Sequence, residues 1–204
     1  MSPTGACNSL AADAWSIAVV GAPGVGKTRF ISAFVLDDLD DEVQPSESKQ
    51  SFSRKIKIDD QETIITLLEA DESEALLRSA EAFIIMYNAT SLYSFQDAIP
   101  LLRAIRRAIS SDPVFALVAN QTDRAPKDYE VSHSQGAALA TELGCPFAEA
   151  SARSGRGVEP IVVELRLARR LGGLICTALN LLADFVLEAS ATPSPAVIYT
   201  IDIA

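Results

Sequence analysis

The stretch Gly21-Ala22-Pro23-Gly24-Val25-Gly26-Lys27-Thr28 fits G-x-x-x-x-G-K-S/T, a spacing that can cradle a chain of phosphates. Gly21, Gly24 and Gly26 let backbone N–H groups turn inward where a Cβ would obstruct the anion, and the N-terminus of a following helix adds partial positive charge. Lys27 is placed to reach the β- and γ-phosphates, which makes it a candidate for catalysis as well as binding, and Thr28 is placed to bind Mg²⁺. A second group, Glu69-Ala70-Asp71-Glu72-Ser73, closes an apolar run. The end of an interior strand facing a phosphate loop is where a carboxylate can hold a Mg²⁺ shell, so Glu69 is the first candidate and Asp71 the second. Pro45-Ser46 offers a further hydroxyl for Mg²⁺ and a backbone N–H for the γ-phosphate. Asn120-Gln121-Thr122-Asp123 and Ser151-Ala152-Arg153 complete the set of polar groups that directly follow apolar runs.

Those runs are the frame. Ile17 to Val20, Phe52 to Asp59, Glu62 to Leu68, Phe83 to Tyr87, Val114 to Ala119 and Cys145 to Ala148 read as strands, with Asp59-Asp60-Gln61-Glu62 as a hairpin turn. Helices are expected after Lys27, from about Ser94 to Ile109, from a Ser132/Gln135 capping box to Leu143-Gly144, and from Val158 to near Leu171. Pro100 is expected to kink or restart the second of these. The acid-rich segment from Leu36 to Val43 reads as a loop, because no packed element tolerates so many unpaired carboxylates. Alternation of strand and helix implies a P-loop α/β fold: a mostly parallel six-stranded sheet with one antiparallel strand and helices on both faces. Ligands of such sheets bind at the carboxyl ends of the strands, and all the polar groups above fall there.

Bulk properties narrow the chemistry. A chain of 204 residues suits one domain plus a tail, and a net charge of −10 with scattered Lys and Arg argues against nucleic acid as a partner. Cys7, Cys145 and Cys176 lie far apart, which signals neither zinc nor a disulfide framework and fits a reducing, cytoplasmic setting; Cys145 reads as a core residue. The single histidine, His133, excludes two-histidine metal sites and begins a polar helix rather than a nucleophile's neighbourhood. Residues 1–14 lack the features of a signal peptide and are expected to be a disordered lead-in.

With those residues in view, the chain resembles a Ras-superfamily small GTPase of the Ras branch over roughly Trp15 to Leu171, the remaining 172–204 forming an apolar tail. Three motifs carry the likeness: Gly21 to Thr28, Asn120 to Asp123, and Ser151-Ala152-Arg153. The resemblance implies GTP and GDP as ligands with Mg²⁺. Asp123 would accept hydrogen bonds from the guanine N1–H and the exocyclic amine at C2, neither of which adenine offers. Asn120 would brace the P-loop and the base, the Ala152 N–H would face the guanine oxygen, and Ser46 falls at the threonine position of the first switch. Effector, exchange-factor and activating proteins are the implied partners.

The departures sit where hydrolysis and switching occur. Glu69-Ala70-Asp71-Glu72-Ser73 replaces the family's Asp-x-x-Gly-Gln, losing the glycine that meets the γ-phosphate and the glutamine that orients water; Ser73 or Glu72 would have to take the latter role. The segment from Ser73 to Phe83 is short, which truncates the second switch helix. Gln121 replaces a lysine that packs over the base, Leu39 replaces an aromatic cover, and Pro23 removes a P-loop donor. These features leave open two readings: a slow GTPase switch, and a pseudo-GTPase scaffold that binds nucleotide without effective hydrolysis or binds none. A small P-loop kinase would leave Asp123 and Ser151 to Arg153 unexplained. The tail after Arg166, Arg169 and Arg170 fits either an extension of the last helix or a membrane-surface segment over 166–187 with a lipidated Cys176 at the inner face of the plasma membrane. The end Ile201-Asp202-Ile203-Ala204 carries no CaaX box.

Overall fold

A computed structural model of the chain describes residues 13–35, 51–58, 61–70, 74–109 and 113–170. Within them the strands are β1 (Asp13–Gly21), β2 (Ser51–Ile58), β3 (Gln61–Glu69), β4 (Ala82–Asn88), β5 (Val114–Asn120) and β6 (Phe147–Glu149). The helices are α1 (Lys27–Val35), α2 (Glu74–Ser79), α3 (Leu92–Ala108), α4 (His133–Leu143) and α5 (Val158–Arg170), with a single 3₁₀ turn at Pro126–Asp128. The strands form one sheet in the order β2-β3-β1-β4-β5-β6, in which only the β2/β3 pair is antiparallel. The expected fold class is the one observed.

A sheet covered on both faces needs strands that are apolar on both, and the period-2 alternation of β1 shows how the residues divide. Ile17 and Val19 face α1 and α5, packing with Phe30, Phe34, Ile161 and Leu165. Ala18 and Val20 face the other way, toward Leu77 of α2, Leu102 and Ile105 of α3, and Leu139 of α4. Cys145 is buried in this second layer, as its sequence context indicates.

Several boundaries move, each for a local reason. β1 includes Asp13 and Ala14, which the sequence assigns to the lead-in, because they pair with Thr63 and Ile64 of β3. Gln61 belongs to β3 rather than to the hairpin turn, since it pairs with Ile58, and Glu62, read as the strand's first residue, pairs with Lys57. α3 begins at Leu92, capped by the Ser91 hydroxyl accepting from the Ser94 N–H at 3.4 Å. That helix neither restarts nor ends at Pro100. Proline removes the bond to the Gln96 carbonyl, but both residues are exposed, so water can satisfy the freed oxygen. The Ser132/Gln135 capping box of α4 is present in full, and Gly144 ends the helix in the left-handed region. The leads at residues 1–12, the acidic loop, Ser46, Asp71, Glu72, Ser73 and the tail from Leu171 all lie outside the described residues. No helix among the described residues is long and apolar enough to cross a membrane.

One close approach fixes α4 on the sheet. A Cβ at Gly136 would collide with the Tyr87 hydroxyl and the Phe147 ring. Gly136→Ala is therefore expected to destabilise the fold by about 2 kcal/mol through overpacking, in spite of alanine's better helix propensity. Urea unfolding of the two proteins measures it; an unchanged midpoint would mean that α4 sits further from β4 and β6 than described here.

Candidate nucleotide-binding site

β1 ends at Gly21 and α1 begins at Lys27, so the intervening loop lies at the carboxyl end of the central strand. Val25 closes a turn through its N–H to the Ala22 carbonyl at 3.4 Å, and the Phe30 N–H bonded to the Gly26 carbonyl at 2.9 Å opens the helix. Gly24 has φ +81°, and a Cβ built there meets nothing within 4 Å. The concavity is thus open where an anion would enter, and the N–H groups of the first turn of α1 adjoin it. Lys27 Nζ donates to the carbonyls of Gly21 at 2.7 Å and Ala22 at 3.4 Å, which holds the ammonium across the mouth of the loop. Pro23 is exposed at the tip.

The parallel register pairs Val19 with Glu69, and Ala70 N–H donates to the Val19 carbonyl at 3.2 Å. That register delivers Glu69 to the start of α1, where the Thr28 hydroxyl donates to Glu69 Oε1 at 2.7 Å. One hydroxyl and one carboxylate are hard oxygen donors, the kind Mg²⁺ takes when substrate phosphates and water complete its shell. Among the described residues no cluster of three or more His, Cys, Asp or Glu offers an all-protein cage. The donor set therefore fits Mg²⁺ held between protein and phosphate.

The other end of the site is built around a buried amide. Asn120, the last residue of β5, is 1% exposed. Its Nδ2 donates to the Val25 carbonyl at 2.8 Å, and its Oδ1 accepts from the Ala152 N–H at 3.0 Å. One side chain thus ties the phosphate loop to the loop after β6. Sequence reasoning assigns that brace to Asn120, but it leaves the Ala152 N–H facing a base oxygen; here that N–H is engaged by Asn120, and a base would share it as a three-centre donor.

Beyond Asn120 the chain turns sharply, with Gln121 at φ +64°, the one non-glycine residue with positive φ among those described. The turn is held by Thr122, whose N–H and hydroxyl both donate to the Ala150 carbonyl, at 3.2 and 2.9 Å. Tyr129 and Arg156 donate to the Thr122 carbonyl at 2.9 and 3.3 Å. Neither residue stands out in the sequence, because their partner is a backbone oxygen and no motif spacing connects them to it. The result is a fixed carboxylate: Asp123 Oδ1 accepts from the Ser151 hydroxyl at 2.9 Å, and Arg153 Nε stands 3.7 Å from Oδ2. The Ser151 bond is the main reason the Asp123 carboxyl lies below its ordinary range, with its own backbone N–H, Arg153 and Arg124 adding to it against a smaller effect of burial. An ionised carboxylate is acceptor-only and has lone pairs left for two more donors. His133 lies apart from this cleft and pairs through Nδ1 with Glu149 Oε1 at 2.9 Å.

A model of the Ras family matches residues 16–170. The chain belongs to the Ras family. It is 31% identical over 167 residues to Ras-like protein 1 of Saccharomyces cerevisiae, an alignment that takes in 78% of this chain and 54% of that protein. The chain thus spans about half the length of that curated relative. Ras-family proteins in general bind GTP or GDP with Mg²⁺, and in this chain a cleft beside the phosphate loop is lined by Gly26, Asn120, Asp123 and Ala152. Of the expected site residues, Gly26, Asn120, Asp123, Ala152 and Arg153 line one cleft, Val25 and Ser151 are bonded to it, and Lys27 with Gly21, Thr28 with Glu69, and Gly24 lie at the phosphate-loop end. Ser46, Glu72 and Ser73 lie outside the described residues.

The Ser151 hydroxyl makes a pH prediction. Because the folded-state pKa of Asp123 is depressed, any ligand contact that needs its ionised carboxylate would persist above that value and be lost as pH falls through it. Ser151→Ala removes the largest cause of the depression, so the acid loss of affinity should begin at a higher pH than in the wild type. A GDP titration across pH reads this directly; coincident profiles would mean that Ser151 does not act on Asp123.

Proposed function

We propose that this chain is a Ras-like GTP-binding switch that hydrolyses GTP slowly and relies on partner proteins for exchange, activation and readout. The observation that carries the reading is Asn120 holding the phosphate loop and the Asp123/Ser151 wall together through both ends of one buried amide. A rigid spacing between a phosphate cradle and an ionised carboxylate suits a guanine nucleotide, whose N1–H and exocyclic amine both donate. In this reading Lys27 leaves the Gly21 carbonyl for the β- and γ-phosphates, Gly24 and Gly26 let the backbone approach them, and Thr28 and Glu69, with Ser46, hold the metal. Mg²⁺, when bound, neutralises charge on the phosphates. Asp123 reads the purine edge, and Arg153 and Ser151 keep its carboxylate oriented.

Hydrolysis needs an oriented water, and the residues available for that are Glu72 and Ser73 in place of glycine and glutamine. Turnover by the chain alone is therefore expected below about 10⁻⁴ s⁻¹, the order established for Ras acting without an activating partner. Single-turnover GTP hydrolysis with Mg²⁺ tests this. Slow conversion to GDP supports the switch, whereas GTP that stays bound and intact assigns the chain to the scaffold reading. The domain at 15–171 and contact of 166–187 with a membrane surface belong to the same proposal; vesicle flotation with and without anionic lipid tests the latter.

A further inference from the structure

Arg29 is the third residue of α1, exposed, and among the described residues it makes no hydrogen bond, ion pair or ring contact. It nevertheless lines the same cleft as Asn120, Gln121, Asp123 and Ala152. It does so from the opposite wall: α1 carries Arg29, while the others come from the end of β5 and the loop after β6. It also directly follows Thr28, so it stands at the junction between the phosphate end and the base end.

The cleft holds two more arginines, but both stand beside Asp123. Arg153 Nε is 3.7 Å from Asp123 Oδ2, and Arg124 follows Asp123 in the chain. They serve the edge at which Asp123 would meet a purine. On the same loop the residue available to cover the base is Gln121, a neutral amide whose backbone is held at φ +64°. Among the described cleft residues, Arg29 supplies the flat cationic group that does not stand beside Asp123. A guanidinium is planar, permanently charged and weakly hydrated, so it stacks on a heteroaromatic face in a way that the tetrahedral, strongly hydrated ammonium of lysine does not.

We propose that Arg29 is a nucleotide-binding residue of this chain, its guanidinium lying flat on the purine whose edge Asp123 reads. This rests on the guanine-nucleotide reading above and names how the base is covered in a chain with glutamine at position 121. Position 29 thereby becomes a determinant of nucleotide residence time as well as affinity, because a stacked cover must lift before the base can leave.

The experiment is GDP affinity and dissociation rate of the full chain with Mg²⁺, for wild type, Arg29→Ala, Arg29→Lys and Asp123→Ala. Arg29→Ala and Arg29→Lys should each weaken GDP on the order of tenfold, mostly through faster dissociation. Their unfolding midpoints without nucleotide should match the wild type, since Arg29 is exposed and has no partner among the described residues. Wild-type affinity in Arg29→Ala would overturn the proposal, and so would full rescue by Arg29→Lys, because charge without a plane would then suffice. The underlying reading fails separately: a wild type that does not bind GDP, or an Asp123→Ala variant that binds it equally well, removes the guanine site itself and the Arg29 role with it.

Discussion

Asn120→Ala is expected to lower folding stability by about 3 kcal/mol and to weaken GDP on the order of a hundredfold. The reason is positional. Asn120 is 1% exposed and satisfies the Val25 carbonyl at 2.8 Å and the Ala152 N–H at 3.0 Å, so alanine strands one acceptor and one donor. Each buried polar group left unpaired costs roughly 1–3 kcal/mol. Affinity falls further than one lost contact would explain, because the amide sets the distance between the phosphate loop and the Asp123 wall, and the nucleotide must then restore that spacing at its own expense. Chemical denaturation and GDP competition on the same samples measure the two effects. A variant with normal GDP affinity and reduced stability would confine Asn120 to a structural role.

Gly26→Ala is expected to cost about 3 kcal/mol and to abolish measurable nucleotide binding. Two effects combine at this position. Gly26 has φ +96°, where an L side chain is strained, and a Cβ would stand 2.6 Å from Asn120 Nδ2. The amide has to move, so the substitution breaks the same brace from the other side. The two variants should therefore couple: in an Asn120→Ala background the collision is gone, and Gly26→Ala should cost less by about 1–2 kcal/mol. A double-mutant cycle on unfolding free energies reads the coupling, and strict additivity would show that Gly26 and Asn120 do not touch.

Much of the site is legible in the sequence because its chemistry follows local spacing. Gly21 to Thr28 announce their strand, loop and helix within one stretch, and Asn120 to Asp123 follow a run of apolar residues that can only be an interior strand. Glu69 is legible for the same reason, its place beside Thr28 following from the parallel register of β1 and β3. What escapes the sequence is contact made through the backbone or across long separations. Thr122, held by Ala150, Tyr129 and Arg156, is one case, and the engagement of the Ala152 N–H by Asn120 is another. Gly136 is a third: its role is to let α4 approach Tyr87 and Phe147, and a glycine in a helical pattern carries no mark of what it approaches. At Pro100 the restart that the local signal allows does not occur, and one helix runs through it with Leu102 and Ile105 buried in the core.

The most direct test of a guanine-nucleotide site is the nucleotide that the full-length chain retains when purified with Mg²⁺, extracted and resolved by ion-pair chromatography. GDP or GTP near one equivalent in the wild type, and none in Lys27→Ala or Asp123→Ala, is the expected result. A wild type that is empty, that takes up no added GDP, or that carries adenine nucleotide would contradict the account.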